Sequence, residues 1–150
     1  MKGEGNLRGR VRVVHVALPA AVATGASVSV SYRFTEAESS LLELLCWDSA
    51  VQTVAASTPF PELICRSRNA QANRWSLRDV VLAAASSSEI TYSPDLGSRV
   101  TGAAAENVRA IPAPRVIMPG DTVEFFLTGG LAGDEISISV LTYLVIESLS

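Results

Sequence analysis

Little in this chain is suited to covalent chemistry. One histidine and two cysteines occur in 150 residues, and the three stand in no metal-binding or CxxC spacing. There is no GxSxG, no glycine-rich phosphate loop and no HExxH. No apolar run approaches the length that a membrane helix needs. The formal net charge of −3 gives no general pull toward nucleic acid or an anionic membrane. Lysine is almost missing, with Lys2 alone against eleven arginines. Arginine suits desolvated contacts between subunits, where lysine is depleted, although high-GC coding gives the same bias.

What is present is enough for a core. At 48% hydrophobic residues, a chain of this length forms one domain and hides roughly 70% of its unfolded surface. Charge is uneven. Lys2, Arg8, Arg10 and Arg12 outweigh Glu4 at the start, and no Lys or Arg follows Arg115. The expected organisation is a basic arm over residues 1–12 and a single domain over 13–150. Such an arm is either a solvated leader or a segment that docks on a neighbouring subunit or on nucleic acid. Residues 13–23, ending Ala21-Val22-Ala23, superficially resemble a signal peptide. His15, Pro19 and a strand-like alternation argue against that reading.

Periodicity of two dominates. Residues 11–16 alternate as a first strand. Val28, Val30, Tyr32 and Phe34 alternate with Ser27, Ser29, Ser31 and Arg33, the cleanest pattern in the chain. Residues 119–147 read as a β-hairpin. Val123, Phe125 and Leu127 alternate with polar neighbours, Gly129, Gly130 and Gly133 permit a bend, and Ile136, Ile138 and Val140 alternate with Ser137 and Ser139. Phe126 breaks the polar face of this hairpin. Residues 141–146, with Tyr143 among them, are apolar on both faces, and such a run calls for cover by the domain or by a neighbouring subunit.

Two stretches fit strand and helix alike. In residues 35–47, Thr35 and Glu38 fit a capping box, whereas Leu41, Glu43, Leu45 and Trp47 would share one face of a strand that turns at Asp48-Ser49-Ala50. Strand is the favoured reading. Residues 77–85 have helical spacing behind Ser76 and Asp79, yet Val80-Val81-Leu82 suits a strand. Residues 58–61 and 97–106 read as loops, 89–93 as a brief strand, and 108–111 and 115–118 as extended pieces around Pro112 and Pro114. Short strands with turn signals at roughly ten-residue intervals predict an all-β fold: an antiparallel, jelly-roll-like β-sandwich with at most one or two short helices.

Each residue with chemistry has a structural alternative. His15 fits a half-buried imidazole in a strand. Cys46 and Cys65 sit among apolar residues, as buried thiols do, with one disulfide as the alternative. Asp121, Asp134 and Glu135 could share a calcium ion or serve turns. Trp47 and Trp75 could stack sugars, as in a lectin-like module, or anchor the core. No cofactor, metal site or catalytic residue is expected.

The strand Ser27-Val28-Ser29-Val30-Ser31-Tyr32-Arg33-Phe34, the segment Glu89-Ile90-Thr91-Tyr92-Ser93-Pro94, the lead-in from Ile111 through Pro119-Gly120-Asp121 and the apolar ending Val145-Ile146-Glu147 resemble small β-sandwich virion proteins of tailed bacteriophages, over about two thirds of the chain. The basic arm and residues 56–88 depart from that pattern. The resemblance implies a homo-oligomeric virion structural protein that is assembled in the host cytoplasm, without enzymatic activity. Its partners would be the major capsid protein or other virion proteins. Head decoration is the leading expectation; a neck or tail-completion ring and a lectin-like carbohydrate-binding module are the alternatives. The expected contact residues are Lys2, Arg8, Arg10, Arg12, Phe126 and Tyr143.

Overall fold

The computed structural model describes residues 10–67, 72–76, 82–93, 97–102, 107–109 and 116–147. Among them are twelve strands and no helix: β1 (Arg10–Val16), β2 (Ala21–Val22), β3 (Ser27–Arg33), β4 (Leu41–Gln52), β5 (Phe60–Arg66), β6 (Ala72–Ser76), β7 (Ser87–Ser93), β8 (Gly97–Gly102), β9 (Asn107–Arg109), β10 (Val116–Ile117), β11 (Thr122–Thr128) and β12 (Glu135–Glu147). The larger sheet has the order β1-β12-β4-β7-β8-β9, with β2 added to β12 and β10 to β4; the smaller has the order β3-β11-β5-β6.

Set aside β2, β10 and the β8–β9 pair, and eight strands remain. The first pairs with the last (β1 with β12), the second with the seventh (β3 with β11), the third with the sixth (β4 with β7) and the fourth with the fifth (β5 with β6). This is one long antiparallel ribbon rolled into two facing sheets, the topology of a jelly roll. The fold class expected from the alternation is the one found.

Between the sheets lies an apolar core. Val30, Phe34, Leu63, Cys65, Val123, Phe125 and Leu127 from the smaller sheet and its flanks meet Leu42, Leu44, Trp47, Val51, Ile90, Tyr92, Ile136, Ile138, Leu141, Tyr143 and Val145 from the larger. Phe34 and Tyr143 meet edge to face with ring centroids 4.8 Å apart, a geometry that the ring quadrupoles favour.

Several local expectations need correction. Residues 119–147 are not a hairpin: β11 pairs β3 and β5 in one sheet, while β12 pairs β1 and β4 in the other. Alternation identifies the buried face of a strand and is silent about its partner. Residues 129–134 carry the chain across the roughly 10 Å between packed sheets. β4 runs straight through Asp48-Ser49-Ala50 without a turn, and residues 35–40 form a turn closed by Ser40 N–H on the Ala37 carbonyl (2.8 Å) rather than a helix start. Residues 97–102, read as loop, are β8, and Phe60 and Pro61 already belong to β5. Of residues 77–85, those at 77–81 lie outside the described residues; 82–85 are not helical.

The β4–β12 ladder holds two β-bulges. Opposite Ile138 and Val140 stand Ser49 and Asp48, so Ser139 is the extra residue; opposite Thr142 and Tyr143 stand Cys46 and Leu44, so Leu45 is extra. Each bulge moves the inward face by one residue. Leu42 and Leu44 point inward before Leu45, and Trp47, Ser49 and Val51 after it. Leu41, Glu43, Leu45 and Trp47 therefore do not share a face, and Val140 does not share one with Ile136 and Ile138.

Candidate functional site: the apolar end of the larger sheet

Directly paired residues of antiparallel strands share a face, so register and burial together identify what the larger sheet turns outward. Val145 with Leu42, and Tyr143 with Leu44, are buried inward pairs. The rows between them point out. One row runs Val11, Ile146, Leu41 across β1, β12 and β4; the next runs Val13, Leu144, Glu43, Val116 across β1, β12, β4 and β10. Met118, two residues beyond Val116, extends the first row.

Apart from Glu43, these rows are apolar and open. Val11 is 58% exposed, Val13 52%, Leu41 45%, Val116 50% and Met118 45%; the other well-exposed large apolar side chains among the described residues are Val22 and Leu131. Five of seven therefore fall at one end of one sheet face. Isolated exposed valines are ordinary, whereas a contiguous apolar patch marks an interaction surface. Covering each half-exposed side chain is worth about 1 kcal/mol, or about 5 kcal/mol for the five. That is comparable with the lower end of the ~4–15 kcal/mol lost in bringing two bodies together. The patch favours contacts reinforced by further copies over a tight isolated pair.

Beyond the apolar rows the same face becomes polar. His15, Thr142 and Cys46 stand side by side on β1, β12 and β4. His15 Nδ1 lies 3.0 Å from Thr142 Oγ1, and the Cys46 thiol donates to Asp48 Oδ1 at 3.8 Å. Burial first, and then the Asp48 carboxylate, push the Cys46 thiol up, whereas a nucleophilic cysteine is pushed down. Glu43, Asp48, Glu89 and Glu135 all occupy outward register positions on this sheet. Arg99, opposite Thr91, is the one arginine or lysine at such a position among the described residues, so the face combines an apolar end with a mostly acidic remainder.

The expected contact residues scatter. Lys2 and Arg8 lie outside the described residues. Arg10 and Arg12 open β1 on its inner side, and Arg12 Nη2 sits 3.4 Å from Glu147 Oε1 of the same chain. Phe126 is half-buried on the outer face of the smaller sheet, opposite Ser29 and Glu62. Tyr143 is no surface residue. The Ser139 bulge turns it inward, it is fully buried, and its hydroxyl meets Glu36 Oε2 at 3.1 Å and the Tyr32 hydroxyl at 2.9 Å. Burial, then the Tyr32 hydrogen bond, raise its pKa well above the ordinary range. The outward-facing members of the apolar run are its alternate residues, Leu144 and Ile146.

Other candidates have structural roles. Trp47 is buried in the core, so it presents no sugar-stacking surface; the side chain of Trp75 is outside the described residues. Cys46 and Cys65 are free thiols, Cys46 on the outer face of the larger sheet and Cys65 on the inner face of the smaller. Asp121 and Asp134 lock matching turns, Met118-Pro119-Gly120-Asp121 and Leu131-Ala132-Gly133-Asp134. In each turn the Asp N–H donates to the carbonyl three residues back, at 3.0 and 3.2 Å, and its carboxylate accepts that residue's N–H, at 3.0 and 3.1 Å. The glycines at φ 93° and 98° supply the left-handed third position of these turns. Glu135 points away from both turns, onto the outer face. Among the described residues no three metal-ligating side chains gather. A cavity of about 380 Å³ lined by Arg33, Phe34, Glu36, Glu38 and Gly120 opens between the β3–β4 loop and the turn before β11.

No protein-family model matches the chain, and neither does any curated protein. Among solved structures, the chain is similar to the VP2 subviral particle of infectious bursal disease virus, at 14% identity and TM-score 0.42 over 93% of this chain and 33% of that one. It is similar to a CocE/NonD family hydrolase, SACOL2612 from Staphylococcus aureus, at 10% identity and TM-score 0.41 over 91% and 36%. A further likeness is to the receptor-binding domain of botulinum neurotoxin type G, at 9% identity and TM-score 0.34 over 88% and 42%. The chain thus spans less than half of each, and likenesses of this size carry no functional argument.

Proposed function

We propose that this chain is a structural protein of a virion, acting by protein–protein contact through the apolar end of its larger sheet. The observation that carries this reading is the gathering of Val11, Val13, Leu41, Val116 and Met118, each 45% exposed or more, around Leu144 and Ile146. Their area is modest for a single complex and ample where many copies bind one shell and reinforce one another. Head decoration is the specific role we favour, with the coat subunit as the apolar partner. A neck or tail ring would use the same patch between neighbours in a closed circle. The jelly roll is compatible with both, since it is a fold used in capsids, lectins and enzymes alike. The mostly acidic remainder of the face disfavours anionic membranes and nucleic acid as occupants.

The test is to fractionate virus particles from the source of the chain on a density gradient and quantify the chain by blotting. Many copies per particle, co-migrating with the coat protein, support decoration. A few copies per particle transfer the role to the neck or tail. A chain confined to the soluble fraction overturns the proposal.

A further inference from the structure

β1 is the outermost strand of the larger sheet. Over Arg10–Val16 it gives one edge to β12 without a break in register, and among the described residues no strand pairs with its other edge. The backbone groups on that side are a template for another strand, and proteins blunt such edges with proline, bulges, short length or charged side chains, inward-pointing ones included. Of these devices β1 has only its two arginines. Its seven residues include four valines and neither proline nor glycine. Its two arginines sit on the inner side of the strand, one of them beside Glu147 of its own chain. Its outward row is Val11, Val13 and His15. The edge strand of the smaller sheet, β3, instead shows Ser27, Ser29, Ser31 and Arg33 on its outer side.

We infer that the occupant of this edge is β1 of a second copy, paired antiparallel about a two-fold axis at Val13. Symmetry makes the interface self-complementary, and the pivot follows from overlap. Only an axis at Val13, the middle residue of β1, pairs all seven positions. Val13 then faces Val13 of the other copy, Val11 faces His15, Arg12 faces Val14 and Arg10 faces Val16. No charge stands directly opposite its like, the two Arg12 side chains being diagonal neighbours, and the arginine stems lie over valines. An axis at Arg12 sets Arg12 against itself; an axis at Val11 sets Arg10 against Arg12. Pairing about Val13 continues the larger sheet from one copy into the next. It also joins the Val13 rows of the two copies end to end, while each Val11 row meets the His15 row of the other copy.

This inference rests on β1 alone and stands apart from the virion reading, because it is tested on the isolated protein. One strand edge is smaller than a standard interface, so the pair should form at roughly 100 μM and dissociate by about 1 μM. Sedimentation velocity across that range should show a monomer–dimer shift, abolished by Val13→Lys, which places two cations face to face. Because Val13 is 52% exposed, that variant should keep its melting temperature. Disulfide trapping fixes the register. In a Cys46→Ser background with oxidised glutathione, Val13→Cys should give a covalent dimer at least ten times faster than Val116→Cys, which is about as exposed but lies on β10, remote from the β1 edge. Val11→Cys should cross-link to His15→Cys faster than to itself. A protein monomeric throughout, or trapping through Val116→Cys in preference to Val13→Cys, overturns the inference.

Discussion

Ser139 of β12 and Leu45 of β4 are the two unpaired residues of one ladder, and each cancels the register shift made by the other. Only the short stretch between them, Val140 to Thr142 against Cys46 to Asp48, is displaced. Outside it the ladder runs as though neither residue were present. Tyr143 and Val145 point inward, and Leu144 and Ile146 outward, because of Ser139.

Deleting Ser139 alone should turn one half of β12 over, exposing Tyr143 or driving the other half outward. The expected cost exceeds about 4 kcal/mol, a size that belongs to a broken core. Deleting Leu45 together with Ser139 restores uninterrupted alternation in both strands and should recover most of the loss. Urea unfolding of the single and double deletions checks this; equal destabilisation by single and double would show that the bulges are independent.

Asp134 is almost fully buried and holds three donors: Val54 N–H at 2.9 Å, Leu131 N–H at 3.1 Å and the Ser57 hydroxyl at 2.5 Å. Asp134→Ala strands all three and should cost about 3–5 kcal/mol. Gly130→Ala should cost a similar amount, because its Cβ would strike the same carboxylate. A double variant should therefore lose much less than the sum of the two, as measured by urea midpoints.

The Cys65 thiol is pushed up to about 11 from 9.0, first by burial and then by Asp121. Between these values the unfolded chain releases a proton that the folded chain keeps, so stability falls as pH rises from about 9 to about 11 and is unaffected by this group below that window. Tyr143, raised from 10.0, adds a loss of the same sign that begins near pH 10 and continues above this window. Cys65→Ala should flatten the decline of the melting temperature over about pH 9–11. An unchanged slope would assign the decline to other groups.

The sheets were legible in the sequence wherever one strand face was plainly polar. Ser27 to Arg33 and Thr122 to Thr128 declare their faces by alternation, and both strands are found with those faces. Partnership was not legible. Gly129, Gly130 and Gly133 signal a bend equally well whether the next strand returns to the same sheet or crosses to the other. The bulges were hidden because an extra serine or leucine costs a periodic pattern only one position. The candidate site was half legible. Residues 141–146 carried the signal of a strand covered on both sides, but its exposed members depend on the parity that Ser139 reverses. Val11, Leu41 and Val116 are far apart in the chain, and only the order β1-β12-β4, with β10 on β4, brings them beside Ile146 and Leu144.

The most direct measurement is the binding of purified particles, depleted of this chain, by single variants of its outer face. Val116→Lys and Leu41→Lys place an ammonium in the apolar rows near Glu43, where it should leave the melting temperature within a few degrees of the parent. Ser137→Lys changes the same sheet face outside those rows. Co-sedimentation should fall at least ten-fold for the first two, about 1.4 kcal/mol or more, and stay at the parent level for Ser137→Lys. Undiminished binding by Val116→Lys and Leu41→Lys, or equal loss in all three, would contradict the assignment of the apolar end as the contact surface.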